Sequence, residues 1–248
     1  MADETNTPDH KELDVKGKHI LAIVAHPDDI DFGGAGSVAK WIKEGAKVSY
    51  IILTDGTRGS EDMSITAAQL REMRQEEQRN AGKVVGLTDI YFMDNPDGAL
   101  QNTPEVQKPV VKIIRQLKPD IVITTDPTYV YDAENGFINH PDHRNAGQIA
   151  LDCVFPFARN GRSFPELLEE GHEIHSVGTV LINNIAKANF YVDISDYLDT
   201  KLEAIKQHVS QYDDFPSIKE RMTARAEQLG QRIGVKYAEG FVKISSQR

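Results

Sequence analysis

The sequence predicts a three-layer α/β/α fold with a mostly parallel central sheet, Rossmann-like in plan. Three observations carry the prediction. Short apolar runs recur along the chain, beginning with Ile20-Leu21-Ala22-Ile23-Val24-Ala25. That run lacks polar alternation, as befits a strand covered on both faces of a parallel sheet. Stretches with apolar residues at helical spacing separate the runs, the βαβ order that makes neighbouring strands parallel. The turns behind the runs hold clusters of His, Asp and Gly, where open α/β sheets place their ligands.

In chain order, a strand is expected over 19–25, then a glycine-rich turn, Asp31 to Gly36, and a helix with Val38, Trp41 and Ile42 on one face. Val48 to Leu53 reads as the next strand and ends in a loop, Thr54 to Gly59. A helix follows from about Thr66 to Val85, then a short strand from Ile90 to Met93 and a turn at Asn95-Pro96-Asp97-Gly98. Pro104 to Leu117 is helical and stops before Pro119. Ile121 to Thr124 is a fourth strand, leading through a long loop to a helix that starts near His143 and runs through Ala150. Strands over 177–183 and 190–193 precede helices over 196–210 and 217–232. Residues 1–16 are polar and expected as a flexible lead-in, with 17–248 as one domain.

At 248 residues, 40% of them hydrophobic, the chain can build one sizeable core. Its net charge of −10 argues against nucleic acid or an anionic membrane as partner, since both need clustered Lys/Arg. The single cysteine, Cys153, excludes an internal disulfide. No run approaches the ~20 apolar residues of a membrane span and no basic-then-apolar signal opens the chain, so a cytoplasmic address is expected.

His26-Pro27-Asp28-Asp29 sets one imidazole and two carboxylates directly behind the first strand. Adjacent aspartates repel one another and lose hydration when enclosed, so a nearby cation accounts for the pair economically. His140-Pro141-Asp142-His143, far downstream, repeats the chemistry. Taken singly, each residue has an ordinary reading as a hydrogen-bonded histidine, a turn or a helix cap. Two such clusters, each behind a strand, point to one metal site closed by tertiary folding. His26 and Asp29, three apart on a turn entering a helix, are completed by His143. Three protein ligands with a position left for water describe a catalytic zinc site, and Fe2+ or Co2+ suits the same donors. Asp28 is then the candidate general base. His140 is the candidate to stabilise an oxyanion or protonate a leaving amine, and Asp142 to fix an imidazole's tautomer.

Ala25-His26-Pro27-Asp28-Asp29, with Gly33-Gly34 after it, and His140-Pro141-Asp142-His143 resemble the LmbE-like, or PIG-L, family of zinc-dependent N-deacetylases. Thr54-Asp55-Gly56, the run Arg71 to Glu77, Pro96-Asp97-Gly98 and His208-Val209-Ser210-Gln211 agree with it, over roughly residues 17–242. The resemblance implies the LmbE-like form of the fold and hydrolysis of the acetyl group from a small N-acetylglucosamine-containing molecule, giving acetate and a free amine. It implies that Arg74, ahead of the paired glutamates, contacts substrate. Phe157-Ala158-Arg159 followed by Phe164-Pro165-Glu166 is similar to the diacetylchitobiose-type members and implies the same for Arg159. A homo-oligomer, trimer or hexamer, is implied too. Two positions depart from the pattern: Ile30 stands where many members carry an acidic residue, with Asp31 one place later, and Ile138 stands where some carry a tyrosine, leaving Tyr129 or Tyr131 to substitute.

Three other readings fit less well. Gly33-Gly34-Ala35-Gly36 does not match the G-x-G-x-x-G of dinucleotide sites and is expected instead to let backbone approach the metal-bearing loop. A phosphorelay receiver also pairs aspartates after its first strand, but leaves His26 and the second cluster unexplained. A non-catalytic metal-binding scaffold is the remaining alternative, and Asp28, a carboxylate not needed as a ligand, favours catalysis.

Overall fold

A computed structural model describes residues 12–134 and 136–245. Its central sheet runs through β1 (His19–Val24), β2 (Lys47–Thr54), β3 (Asp89–Asn95) and β4 (Ile121–Thr125). A two-stranded hairpin, β5 (Tyr131–Asp132) and β6 (Phe137–Ile138), stands apart from it. Three more strands, β7 (Thr179–Asn183), β8 (Phe190–Asp193) and β9 (Ala238–Ser245), complete a seven-stranded sheet of order β3-β2-β1-β4-β7-β9-β8. The first five strands of that order are parallel, and β9 is antiparallel to both its neighbours.

The apolar run at 20–25 does what its lack of alternation predicts. Ile20, Ala22 and Val24 enter one core with Trp41 and Phe241, while Leu21, Ile23 and Ala25 enter the other with Val110 and Ile149. Helices therefore cover both faces. The first core packs α1 (Asp29–Lys43), α2 (Ala67–Val85), α6 (Leu198–Lys206) and α7 (Phe215–Gln231). The second packs α3 (Pro104–Leu117), α4 (Pro141–Asp152) and the short α5 (Glu166–Glu169).

Three features depart from expectation. The glycine run lies inside α1 instead of in a turn before it. A Cβ on Gly36 would come within 2.9 Å of Ile194, so this glycine serves close helix packing and not the approach to the metal-bearing loop. Strand β9, with no sequence signal of its own, slots between β7 and β8; its Glu239, 3% exposed, accepts from the amides of Gly36 and Ser37 and from Lys201 Nζ at 2.5 Å. Residues 1–11 of the expected lead-in lie outside the described residues, but Val15 is buried in the first core and Glu12 pairs with Lys40, so packing begins before residue 17.

The topology leaves one crevice. From β1 the chain steps outward to β2 and β3, then returns to the other side of β1 as β4. At this switch point the carboxyl ends of β1 and β4 face a common space. Helix α4 is held tightly against β4: Thr125 Oγ1 donates to the His143 carbonyl at 2.6 Å, and a Cβ on Gly147 would lie 2.3 Å from the Thr125 carbonyl oxygen. Because that neighbour is backbone, Gly147→Ala is expected to push α4 away and destabilise the protein by about 1–3 kcal/mol, the usual cost of overpacking. Urea unfolding of the variant tests this; a wild-type midpoint would refute the close approach.

Candidate active site

The chain leaves β1 through a sharp turn. Asp28 sits at φ +98° as the residue before α1, a conformation that L-residues rarely adopt. Asp29, in the first helical turn, swings its Oδ2 back to accept from the amides of Ala25 (3.0 Å) and His26 (2.9 Å). Its other oxygen, Oδ1, lies 3.0 Å from His143 Nε2. His26 Nδ1 lies 3.2 Å from the same nitrogen and 3.8 Å from Asp29 Oδ2. A tetrahedral zinc at ordinary bond lengths spaces its ligands by about 3.3 Å, so these three donor atoms fit one such ion.

Each imidazole is held from behind. His26 Nε2 stands 3.1 Å from Asp97 Oδ1 and 3.4 Å from Asp142 Oδ2, so its proton belongs on Nε2 and its Nδ1 lone pair faces the cluster. The two carboxylates are themselves pinned: Asp97 accepts from the Arg58 amide, and Asp142 from the amides of Gly98 and Leu100. His143 Nδ1 stands 3.0 Å from Asn139 Oδ1, which frees Nε2 in the same way, and the Asn139 amide group donates to the Tyr129 carbonyl. Asp97 and Asn139 were not singled out as site residues in the sequence. Asp97 stands in the sequence as the centre of a turn and within the family-like Pro96-Asp97-Gly98, and Asn139 only as the neighbour of the second cluster.

The electrostatics describe a socket for positive charge. Burial disfavours a charged His26, yet Asp142, Asp29 and Asp97 outweigh it and push the imidazole up to about 12. Burial likewise opposes charging of His143, and Asp29 reverses it. Asp97, despite burial, is drawn down to about 2, chiefly by His26. Burial pushes Asp28 up to about 6 even with the Arg74 cation beside it. His140 goes the other way: burial and the neighbouring His26 hold it below its ordinary value. It caps α4, its Nδ1 accepting from the Asp142 amide at 3.2 Å, so the neutral ring carries its proton on Nε2.

Helix α2 supports the turn from behind. Arg74, 3% exposed, donates to the carbonyls of Gly56 and Pro27, both at 2.8 Å, and approaches Asp28 Oδ2 at 3.4 Å. One turn on, Gln78 accepts from the Asp28 amide and donates to Asp31, which His208 also contacts at 2.8 Å. Glu77 accepts from the amide and hydroxyl of Ser210. Thus Arg74 is neither a solvated helix charge nor paired with Glu76 or Glu77; its guanidinium is turned mainly to protein.

These residues floor a cavity of roughly 1220 Å³. His26, Asp28, Asp29, Arg74, His140 and His143 line it, and Asp142 lies just behind them. Arg159 is not among the lining residues; its guanidinium lies over the Phe155 ring, 5.3 Å from the centroid. Of the tyrosines expected to stand in at Ile138, Tyr129 lines the cavity while Tyr131 does not, and Ile138 itself is 81% exposed. Ile30 is buried in the first core, and Asp31 faces His208.

Residues 21–154 match the family model described as PIG-L, GlcNAc-PI de-N-acetylase. The chain is 34% identical over 226 residues to the diacetylchitobiose deacetylase of Thermococcus kodakarensis, covering 90% of this chain and 82% of the relative. It is 26% identical to a probable N-acetyl-alpha-D-glucosaminyl L-malate deacetylase 2 of Bacillus anthracis, over 79% of this chain and 82% of that one. The solved N,N'-diacetylchitobiose deacetylase of Pyrococcus horikoshii superposes with a TM-score of 0.85 at 32% identity, covering 92% of this chain and 84% of the other. With its two clusters closing one site at the switch point of a mostly parallel sheet, the chain belongs to the PIG-L family.

Proposed function

We propose that this protein is a zinc-dependent N-deacetylase that removes the acetyl group from a small N-acetylglucosamine-containing substrate. One observation carries the reading: three donor atoms converge at the cavity floor while a fourth group, the Asp28 carboxylate, stands beside them and is not needed as a ligand. The named activities of the similar proteins support the substrate class. His26, Asp29 and His143 would hold the ion; when bound, it polarises an acyl carbonyl and acidifies water. Iron or cobalt would suit the same donors.

The chain's own groups do the rest. Asp28, raised towards neutrality by burial, takes the proton of the attacking water. His140, neutral and protonated on Nε2, presents a hydrogen-bond donor to the oxygen on which charge develops, and Asp28 passes the proton it has taken on to the departing amine nitrogen. Acetate and the free amino sugar result. Asp142, with Asp97, orients His26, and Arg74 fixes the Asp28 turn beside any contact it makes with the sugar. A cytoplasmic location belongs to the proposal. Among the described residues, no helix is long and apolar enough to cross a membrane. A homo-oligomer belongs to the proposal as well, supported by Phe155, which is 62% exposed beside Arg159, the family-implied sugar contact that a neighbouring subunit would bring into use.

Three outcomes test this. His26→Ala and His143→Ala should each purify with well under one equivalent of zinc by elemental analysis and show no acetate release; full stoichiometric zinc in both would overturn the donor set. Asp28→Asn keeps the size and loses the proton acceptor, so zinc should stay while kcat falls by roughly 10²–10⁴. Wild-type turnover there would move the base elsewhere. Asp97→Ala and Asn139→Ala should fold but bind zinc roughly 10–100-fold more weakly in a chelator competition, the usual effect of losing a group that orients a ligand. Unchanged affinity in both would show that the rings need no support.

A further inference from the structure

The outer wall of the cavity carries a feature that the deacetylation chemistry does not use. Helix α7 presents Arg221, Ala224, Arg225 and Gln228 to it, a stripe at i, i+3, i+4 and i+7. Arginines four apart on a helix have Cβ atoms roughly 5–6 Å apart, and their like charges destabilise the helix when nothing lies between them. Ala224, short and adjacent, leaves room at that spot. Among the described residues, neither Arg221 nor Arg225 has a hydrogen bond or an ion pair.

The acids nearby have other partners. Arg221, the Tyr129 phenol and Glu239 stand around Arg225. Glu239 is already taken by Lys201 and by the amides of Gly36 and Ser37. Tyr129 is an uncharged phenol, and it engages Asp132, an acidic residue of the facing hairpin. Asp126, the remaining acid on that side, is held by Asn184 and Thr128. The acids of the floor face the donor cluster or, in the case of Asp28, Arg74. In a chain of net charge −10, two guanidiniums thus line a substrate-sized cavity with no carboxylate hydrogen-bonded or ion-paired to either of them among the described residues.

A neutral sugar would leave the charge of the pair uncompensated. Its hydroxyls can accept from a guanidinium but bring no negative charge to offset the repulsion between the two. A carboxylate or phosphate matches their planar fork and relieves their repulsion. Tyr129 and Phe137 stack across from each other, with centroids 5.9 Å apart, and offer apolar ring surface beside the stripe.

We propose that Arg221 and Arg225 form an anion-binding subsite, so that the part of the substrate attached to N-acetylglucosamine bears a carboxylate or a phosphate. This rests on the deacetylase reading for the identity of the sugar, but not for the existence of the subsite. The test uses matched β-glycosides of N-acetylglucosamine whose aglycone ends in a carboxylate, a phosphate or a neutral methyl ester. With wild-type protein, kcat/KM should favour one of the anionic glycosides at least about ten-fold over the ester, in keeping with a charged hydrogen bond. The advantage should shrink as salt rises towards 1 M. Whichever anion is favoured identifies the group. In Arg221→Gln/Arg225→Gln the anion-to-neutral ratio should fall to near one, while Arg221→Lys/Arg225→Lys should keep part of it.

Binding of the corresponding free-amine glycosides to wild-type protein, measured by calorimetry, separates the two readings. These compounds cannot be deacetylated, so a ten-fold anionic preference that the Gln pair removes supports the subsite even if no acetate is ever released. Equal affinity for anionic and neutral glycosides in wild type, or a preference that survives in the Gln pair, overturns it.

Discussion

The site depends on how the chain turns out of β1. Within a few residues, buried strand gives way to helix, and Asp28 takes the bend at φ +98°. Such a conformation costs on the order of 1–3 kcal/mol and persists only where surroundings impose it. Here they do: Asp29 catches two amides of the strand end, Gln78 accepts from the Asp28 amide, and Arg74 ties down the carbonyl of Pro27. The bend turns neighbouring aspartates to different tasks. One carboxylate is locked to backbone with a single oxygen facing His143, and the other rests against Arg74.

That division explains several motifs that seem unrelated to chemistry. The helix run around Arg74 and the His208-to-Gln211 segment lie far apart in sequence, yet both brace the same turn. His208 reaches Asp31, Asp31 meets Gln78, and Gln78 holds Asp28. Asp31 and His208 are fully buried, each with one side-chain atom lacking a partner. Leaving buried polar atoms unsatisfied costs stability. A network retained at that cost serves the geometry it imposes on Asp28 better than it serves the core.

Much of this was legible in the sequence, and what was not has identifiable causes. The strand run at 20–25 announced burial on both faces, and the two His/Asp clusters announced their meeting because each stood behind a strand. The start of α1 was misplaced because glycines are poor helix formers; only the fold reveals that Ile194 needs the space at Gly36. Strand β9 was hidden by Glu239, a buried charge that breaks the apolar pattern and is intelligible only beside Lys201. Asp97 looked like turn chemistry, since nothing local says that its carboxylate meets His26 across the crevice. Arg74 was found by resemblance, but its direction, towards backbone carbonyls, depends on packing that no linear motif encodes.

The cavity therefore has two electrostatic halves built from different parts of the fold. Its floor, at the carboxyl ends of β1 and β4, gathers carboxylates that favour a cation. Its outer wall, on α7, carries guanidiniums that favour an anion. The overall negative charge of the chain does not cancel that wall, because at physiological ionic strength fields fade over about 8 Å and an incoming molecule meets the local charge. A substrate with an amide at one end and an anionic group at the other would be held in one orientation by this dipolar arrangement before any contact with its sugar ring. Because α7 shares no residue with the donor cluster, changes along its exposed stripe would alter which aglycone is accepted and leave the hydrolytic floor as it is.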